Sequence, residues 1–172
     1  GIVHNHGGGI TVSSRPGEGT TFTILLPRLD VVVPVKPEEV IAWPTGSGRV
    51  LFVDDEEMLT RWGTQFLSHL GYSVMASVNP YEALDLFRAH PEDFDVVVTD
   101  QTMPTMSGEA LSRALLGIRA DIPILLCTGF SHTMTQEKAK QLGIRAFLMK
   151  PVNGLSLALA LRDILGEGPT PD

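Results

Sequence analysis

The chain has 172 residues, is 43% hydrophobic, and carries 20 Asp+Glu against 13 Lys+Arg for a formal net charge of −7. That length and apolar content suit one domain with an appendage and exclude wholesale disorder, while the acidity excludes a nucleic-acid or anionic-membrane surface, since both need clustered Lys and Arg. One cysteine, Cys127, excludes an internal disulfide and a Cys-based zinc site and points to a reducing cytoplasm.

No apolar run reaches the roughly 18 residues of a membrane span, and no signal-peptide pattern is present. The chain opens with Gly1 rather than Met, which suggests a piece of something longer. Residues 1–30 are predicted to form a hairpin, because apolar residues alternate at Ile10 and Val12 and again at Phe22, Ile24 and Leu26. Gly7-Gly8-Gly9 precedes a strand and not a helix, so it reads as a tight turn and not a phosphate cradle. His4 and His6 have no third ligand nearby and read as solvated. Residues 31–48 are rich in Pro, Gly and Ser and read as a linker. An isolated hairpin is marginal in water; residues 1–48 are therefore expected to be disordered, to pack on the rest of the chain, or to pair between chains through an exposed edge.

From Arg49 onward, strands alternate with helices. Val50–Val53 is an apolar strand ending at Asp54-Asp55. Leu59, Trp62, Phe66 and Leu70 follow at helical spacing, closed by Gly71. Tyr72–Met75 is the second strand, and Asn79-Pro80 caps and opens the next helix. Phe94–Thr99 is the third strand, ending at Asp100, with a helix near 108–116 after it. Strand Ile122–Cys127 precedes a polar helix near 131–142, which is either solvated or a docking surface, and Gly143 ends it. Ala146–Met149 is the fifth strand, ending at Lys150-Pro151, and a helix over about 153–165 leaves 167–172 as a flexible tail. Five such units imply an α/β fold, a doubly wound parallel sheet covered on both faces. Ligands of such sheets sit beyond the carboxyl ends of the strands, where Asp54, Asp55, Asp100, Thr128 and Lys150 fall.

Carboxylates gathered on one sheet edge repel; at an effective dielectric near 20, two charges about 4 Å apart cost roughly 4 kcal/mol. Such a site binds a divalent cation or holds a raised pKa, and all-oxygen donors select Mg²⁺. Lys150 offers an ammonium and Thr128 a hydroxyl to phosphoryl oxygens, and an Asp beside a cation is a plausible nucleophile toward phosphorus. Cys127, in a buried strand, reads as inert.

Leu51-Phe-Val-Asp-Asp-Glu56, Thr99-Asp-Gln-Thr-Met-Pro-Thr-Met-Ser-Gly108, Cys127-Thr-Gly129 and Phe147-Leu-Met-Lys-Pro151 resemble the receiver domain of two-component response regulators over residues 49–166. The resemblance implies a flavodoxin-like (βα)5 fold with strand order 2-1-3-4-5. It implies Asp100 as phosphoacceptor; Asp55, Asp100 and the Thr102 backbone carbonyl as Mg²⁺ ligands; and Asp54 assisting through water. Lys150 would pair with the phosphoryl group, Thr128 and Phe147 would act as switch residues, and the Lys150–Pro151 bond would be cis. The phosphoryl group would come from a phosphohistidine and switch the face built from the fourth helix, fifth strand and fifth helix, with a histidine phosphotransfer protein as a further partner. Phe130 is expected to shield the acyl phosphate from water.

His6-Gly-Gly-Gly-Ile-Thr-Val-Ser-Ser14, Pro16-Gly-Glu-Gly-Thr20 and Phe22-Thr-Ile-Leu-Leu-Pro27 resemble the closing hairpin of a histidine kinase's ATP-binding domain. The nucleotide-contacting boxes of that family are missing, so this piece is expected not to bind ATP, and the order of parts implies a hybrid sensor histidine kinase as parent. Two other readings stand beside the switch. One is a phosphorylation-independent docking module. The other is a phosphohydrolase with an aspartyl phosphate, which would want a second acid two residues after Asp100, where Thr102 stands.

Overall fold

The structure, a computed structural model, describes residues 1–28, 43–129 and 136–166. They divide between two compact units, 1–28 in the first and the remainder in the second. The linker expected over 31–48 thus lies outside the described residues up to Ala42, as do Phe130, the start of the helix predicted from 131, and the tail 167–172.

In the first unit a single helical turn, α1 (Ile2–Asn5), which the periodicity does not reveal, precedes β1 (Gly9–Arg15) and β2 (Gly19–Leu25). The two strands pair antiparallel, with Ile10 opposite Ile24 and Val12 opposite Phe22, so the alternating apolar residues share one face. That face is exposed. The glycine run is the predicted tight turn: Gly7 takes a φ of +68°, and a Cβ at Gly8 would collide with the Leu25 carbonyl oxygen.

The second unit is a doubly wound, flavodoxin-like α/β fold. Its elements are β3 (Arg49–Val53), α2 (Glu57–His69), β4 (Ser73–Ser77), α3 (Pro80–Ala89), β5 (Val96–Asp100), α4 (Gly108–Ile118), β6 (Ile124–Thr128), α5 (Gln136–Gln141), β7 (Ala146–Met149) and α6 (Gly154–Leu165). The strands run parallel in the order β4-β3-β5-β6-β7, which is the 2-1-3-4-5 order expected. Continuous apolar strands supply both faces at once. Val50, Phe52, Val96, Val98 and Leu125 pack under Leu67 of α2 and Leu157 and Leu161 of α6, while Leu51, Val53, Val97 and Ile124 pack under Phe87 of α3 and Leu111 and Leu115 of α4. The local signals hold at the helix ends. Asn79 accepts the Tyr81 N–H ahead of Pro80 at the first position of α3, Ser107 accepts the Ala110 N–H of α4, and Gly71 leaves α2 with φ +105°.

Two differences from the sequence reading have specific causes. The third strand begins at Val96 and not at Phe94, because the preceding residues are held elsewhere. Pro91–Asp93 forms a 3₁₀ turn, Arg119 donates to the Pro91 and Phe94 carbonyls at 2.6 and 2.8 Å, and Arg49 grips the Asp95 carboxylate through its backbone N–H at 2.7 Å and its guanidinium at 2.9 Å. The last residues of the expected linker, 43–48, are held on the second unit. Pro44 is buried, the Gly46 N–H donates to the Leu70 carbonyl at 2.9 Å, and Trp43 lies against Phe66. Residues 43–48 therefore form a strap on the second unit, since a tryptophan and a proline bury apolar area that the surrounding Gly and Ser do not advertise.

Gly63, inside α2, lets the helix sit on the sheet: a Cβ there would stand 2.7 Å from the Phe52 ring. Helix propensity alone would favour Gly63→Ala by about 0.5–1 kcal/mol, but overpacking a filled core costs about 1–3 kcal/mol. Gly63→Ala should therefore be destabilising by roughly 1 kcal/mol, read as a lower urea midpoint at unchanged slope; a raised midpoint would show that Phe52 moves freely.

Candidate functional site

The chain leaves β3 for β4 on one side of the sheet and then crosses to β5 on the other, so the loops above β3 and β5 diverge and open a crevice between them. Asp54 follows β3 and Asp100 ends β5, each only 4% exposed. Both carboxylates are aimed by the same local device, one oxygen taking the backbone N–H two residues ahead. Asp54 Oδ1 accepts from Glu56 N–H and Asp100 Oδ2 from Thr102 N–H, both at 2.9 Å.

The other oxygens turn to a common ammonium. Lys150 Nζ stands 3.2 Å from Asp54 Oδ2 and 2.9 Å from Asp100 Oδ1. The second contact is an ion pair off the hydrogen-bonding direction, and Asp100 Oδ1 is buried with no hydrogen bond among the described residues. Lys150 is itself placed by the sheet: its N–H donates to the Thr128 carbonyl at 2.6 Å, and its bond to Pro151 is cis.

The loop after Asp100 is pinned from behind. Gln101 N–H donates to the Cys127 carbonyl at 2.7 Å, Gly108 N–H to the Gln101 carbonyl at 3.1 Å, and the Gln101 side chain accepts the Glu109 N–H at 3.1 Å. A Cβ at Gly108 would collide with the Asp100 carbonyl oxygen, so glycine is what lets α4 start against the strand end. Gly108 lies in one of the quoted motifs, yet neither its role nor that of Gln101 is visible without the fold.

Thr128, at the end of β6, is buried and donates its hydroxyl to the Gly129 carbonyl at 3.1 Å. Phe147 pairs in register with Leu126, and Met149 with Thr128, so Phe147 and Thr128 project from one face of the sheet. Phe147 is half-buried beside Leu126, Ala139 and Ile144. Asp55 is half-buried and makes no hydrogen bond or ion pair among the described residues. It does not join Asp54 and Asp100 in a three-acid set, and no group of three His, Cys, Asp or Glu poised to hold a metal occurs among the described residues. The three-acid gathering expected from the sequence is thus a two-acid pair bridged by one ammonium.

Charge and burial oppose each other here. Burial pushes the Asp54 carboxyl above the usual range, against the pull of the Glu56 N–H and the Lys150 charge. Burial works against the Lys150 ammonium as well, but the contact with Asp100 and the field of Asp54 outweigh it and hold that pKa above the ordinary lysine value. Burial, and then the Asp100 charge, push the Cys127 thiol to about 12, so it stays protonated at neutral pH. An all-oxygen donor set with a buried carboxylate oxygen lacking a hydrogen bond suits a hard dication. Beside Asp54 and Lys150 a cleft of about 520 Å³ opens, walled by Leu59 and Trp62 of α2 and by Pro151 and Val152.

Residues 50–162 match the model of the response regulator receiver domain family. Among curated relatives, sensor kinase CckA of Brucella abortus is 32% identical over an alignment covering 96% of this chain. The aerobic respiration control sensor protein ArcB of Escherichia coli is 29% identical over 94% of it. The chain spans only 18% and 21% of the length of those two proteins. Among solved structures, a response regulator receiver domain protein from Clostridium thermocellum superposes with a TM-score of 0.66 at 26% identity, covering 69% of this chain and 94% of that one. Chemotaxis response regulator CheY4 of Vibrio cholerae gives 0.61 at 29% identity, covering 70% of this chain and 100% of its own.

An acid whose folded pKa is raised destabilises the fold wherever it is ionised: the penalty is absent below the unfolded value of 3.8, grows as pH rises, and is complete above the folded value. Asp54→Asn should therefore be more stable than the wild type at neutral pH, by about 0.5–2 kcal/mol, and the advantage should shrink as pH falls into the carboxylate range. Thermal melts of both proteins across that range measure it, and an advantage independent of pH would contradict the assignment.

Proposed function

The chain belongs to the response regulator receiver family of two-component systems, and from that membership we propose that Asp100 is a phosphoacceptor taking a phosphoryl group from a phosphohistidine. The observation that carries this reading is the state of the Asp100 carboxylate. It is buried at the strand end with Oδ2 fixed by the Thr102 N–H, which leaves Oδ1 turned to the Lys150 ammonium without a hydrogen bond.

Oδ1 attacks phosphorus and forms the acyl phosphate bond. The P–N bond to the donor imidazole breaks, its electron pair goes to the ring nitrogen, and that nitrogen takes a proton from solvent. The Thr102 N–H holds the carboxylate plane during the attack. Lys150 then shifts from the two carboxylates to a phosphoryl oxygen, carrying positive charge to where negative charge develops. Once Lys150 has left the pair, Asp54, Asp100 and the Thr102 carbonyl would hold Mg²⁺, with Asp55, which stands outside the pair here, having to turn in to complete the set; the ion would supply neutralising charge to the phosphoryl oxygens.

The Thr128 hydroxyl leaves the Gly129 carbonyl for a phosphoryl oxygen, and Phe147, on the same face, follows. The surface of α5, β7 and α6 is thereby switched for a partner. In this reading the parent is a hybrid sensor kinase working in the cytoplasm, and residues 1–28 are the last hairpin of its ATP-binding domain. Supporting it, the similarity to sensor kinases extends over nearly the whole chain and is not confined to the receiver. Phosphoryl groups would pass between its own or another kinase's histidine and a histidine phosphotransfer protein. The fragment itself is a substrate of that transfer and not a kinase.

Acetyl phosphate with Mg²⁺ should add one phosphoryl group to the chain, seen by intact mass, and Asp100→Asn should add none. Lys150→Ala should slow labelling about tenfold to a hundredfold, as for losing a hydrogen bond to a charged group worth about 1.5–3 kcal/mol. An unmodified wild type would instead favour phosphorylation-independent docking.

A further inference from the structure

The strap ahead of β3 ends in a contact that the five βα units do not require. The Trp43 indole meets the Phe66 ring edge-on, with centroids 5.4 Å apart and planes at 80°. Phe66 in turn stacks on Trp62, 5.2 Å away with planes 4° apart. Phe66 and Trp62 lie one turn apart on α2, so they share a side of the helix. The third neighbour of Phe66 is the first turn of α6, where a Cβ on Gly154 would stand 2.8 Å from the Phe66 Cζ and 3.1 Å from the Trp43 Cζ3. The Phe66 ring is therefore confined by the strap, by its own helix and by the backbone of α6 together.

Trp62 is the other end of this ladder. It is 38% exposed, and it walls the cleft that opens beside Asp54 and Lys150. A half-exposed tryptophan on a surface helix has several open rotamers; stacking on a confined Phe66 selects one of them. Trp43, itself 49% exposed, buries about half of its surface to do so, and the strap is held by Pro44 and by the Gly46 N–H on Leu70.

We infer that Trp43 is a positioning residue for phosphoryl transfer: through Phe66 it holds Trp62 as the flat apolar wall of the cleft in which the donor's imidazole ring lies. The inference rests on the reading of Asp100 as phosphoacceptor. The donor's leaving group is a flat heteroaromatic ring, and the opening lined by Asp54 and Lys150, the two groups that flank Asp100, has the Trp62 indole in its wall, against which such a ring stacks favourably. A ring-free donor gains nothing from that wall.

The test compares phosphoimidazole with acetyl phosphate as donors to the full chain in the presence of Mg²⁺, following addition of the phosphoryl group by intact mass. The ratio of the two labelling rates should fall severalfold in Trp43→Ala and in Trp62→Ala and stay at the wild-type value in Trp43→Phe. Trp43→Leu keeps apolar bulk without a flat ring, should remain folded by thermal melt, and should lower the ratio as Trp43→Ala does. A wild-type ratio in both the alanine and leucine variants at Trp43, or equal losses with both donors, would overturn the positioning role. Failure of acetyl phosphate to label the wild type would bring down the reading of Asp100 instead, so the two failures are distinguishable.

Discussion

One ammonium shared between two buried carboxylates organises the functional end of this molecule. Asp54 and Asp100 come from adjacent strands and are almost fully removed from water, a placement that costs free energy for each charge taken alone. Lys150 offsets both at once from just beyond the end of β7, with β6 lying between that strand and β5. Because an ammonium on a four-carbon stem is mobile, the contact that stabilises the pair is also the one that can be handed to an incoming anion.

The backbone around the pair does the aiming. Each carboxylate has one oxygen tied to an N–H two residues ahead, so each presents its remaining oxygen in a fixed direction. Behind Asp100, the absence of a side chain at Gly108 lets α4 begin against the strand end, and Gln101 ties the intervening loop to β6 and to the first turn of α4. The rigid parallel sheet thus supplies position, the local turns supply orientation, and the lysine supplies the movable charge. In this division only one long side chain has to move for the positive charge to be handed on, as the proposed phosphoryl transfer requires.

The same economy extends to the edge of the second unit. The strap at 43–48 and the aromatic ladder on α2 join the segment ahead of the sheet to the wall of the cleft beside Lys150. The first unit has the opposite character. Its two strands pair along their full length, yet its apolar face, with Ile10, Val12, Phe22 and Ile24, is exposed. Such a face is at odds with independent stability for a two-stranded sheet.

The sequence by itself determined the five strand-helix units, their order, and the presence of acids, a threonine and a lysine at the strand ends. These depend on hydrophobic period, caps and glycine stops, all readable within a few residues. Only the tertiary structure decided what those residues do to one another. The start of β5 was set by Arg49 closing on Asp95, 46 positions away, and the two-acid arrangement by Lys150 reaching Asp54 across 96 positions. The sequence placed Asp55 beside Asp54, but successive residues leave a strand end in different directions, and Asp55 stayed outside the bridged pair. Trp43 shows the same limit, because nothing in a Pro- and Gly-rich segment indicates that an indole will find Phe66. Such pairings are long-range in the chain and short-range in space, so their energies enter only after the sheet has brought the partners together.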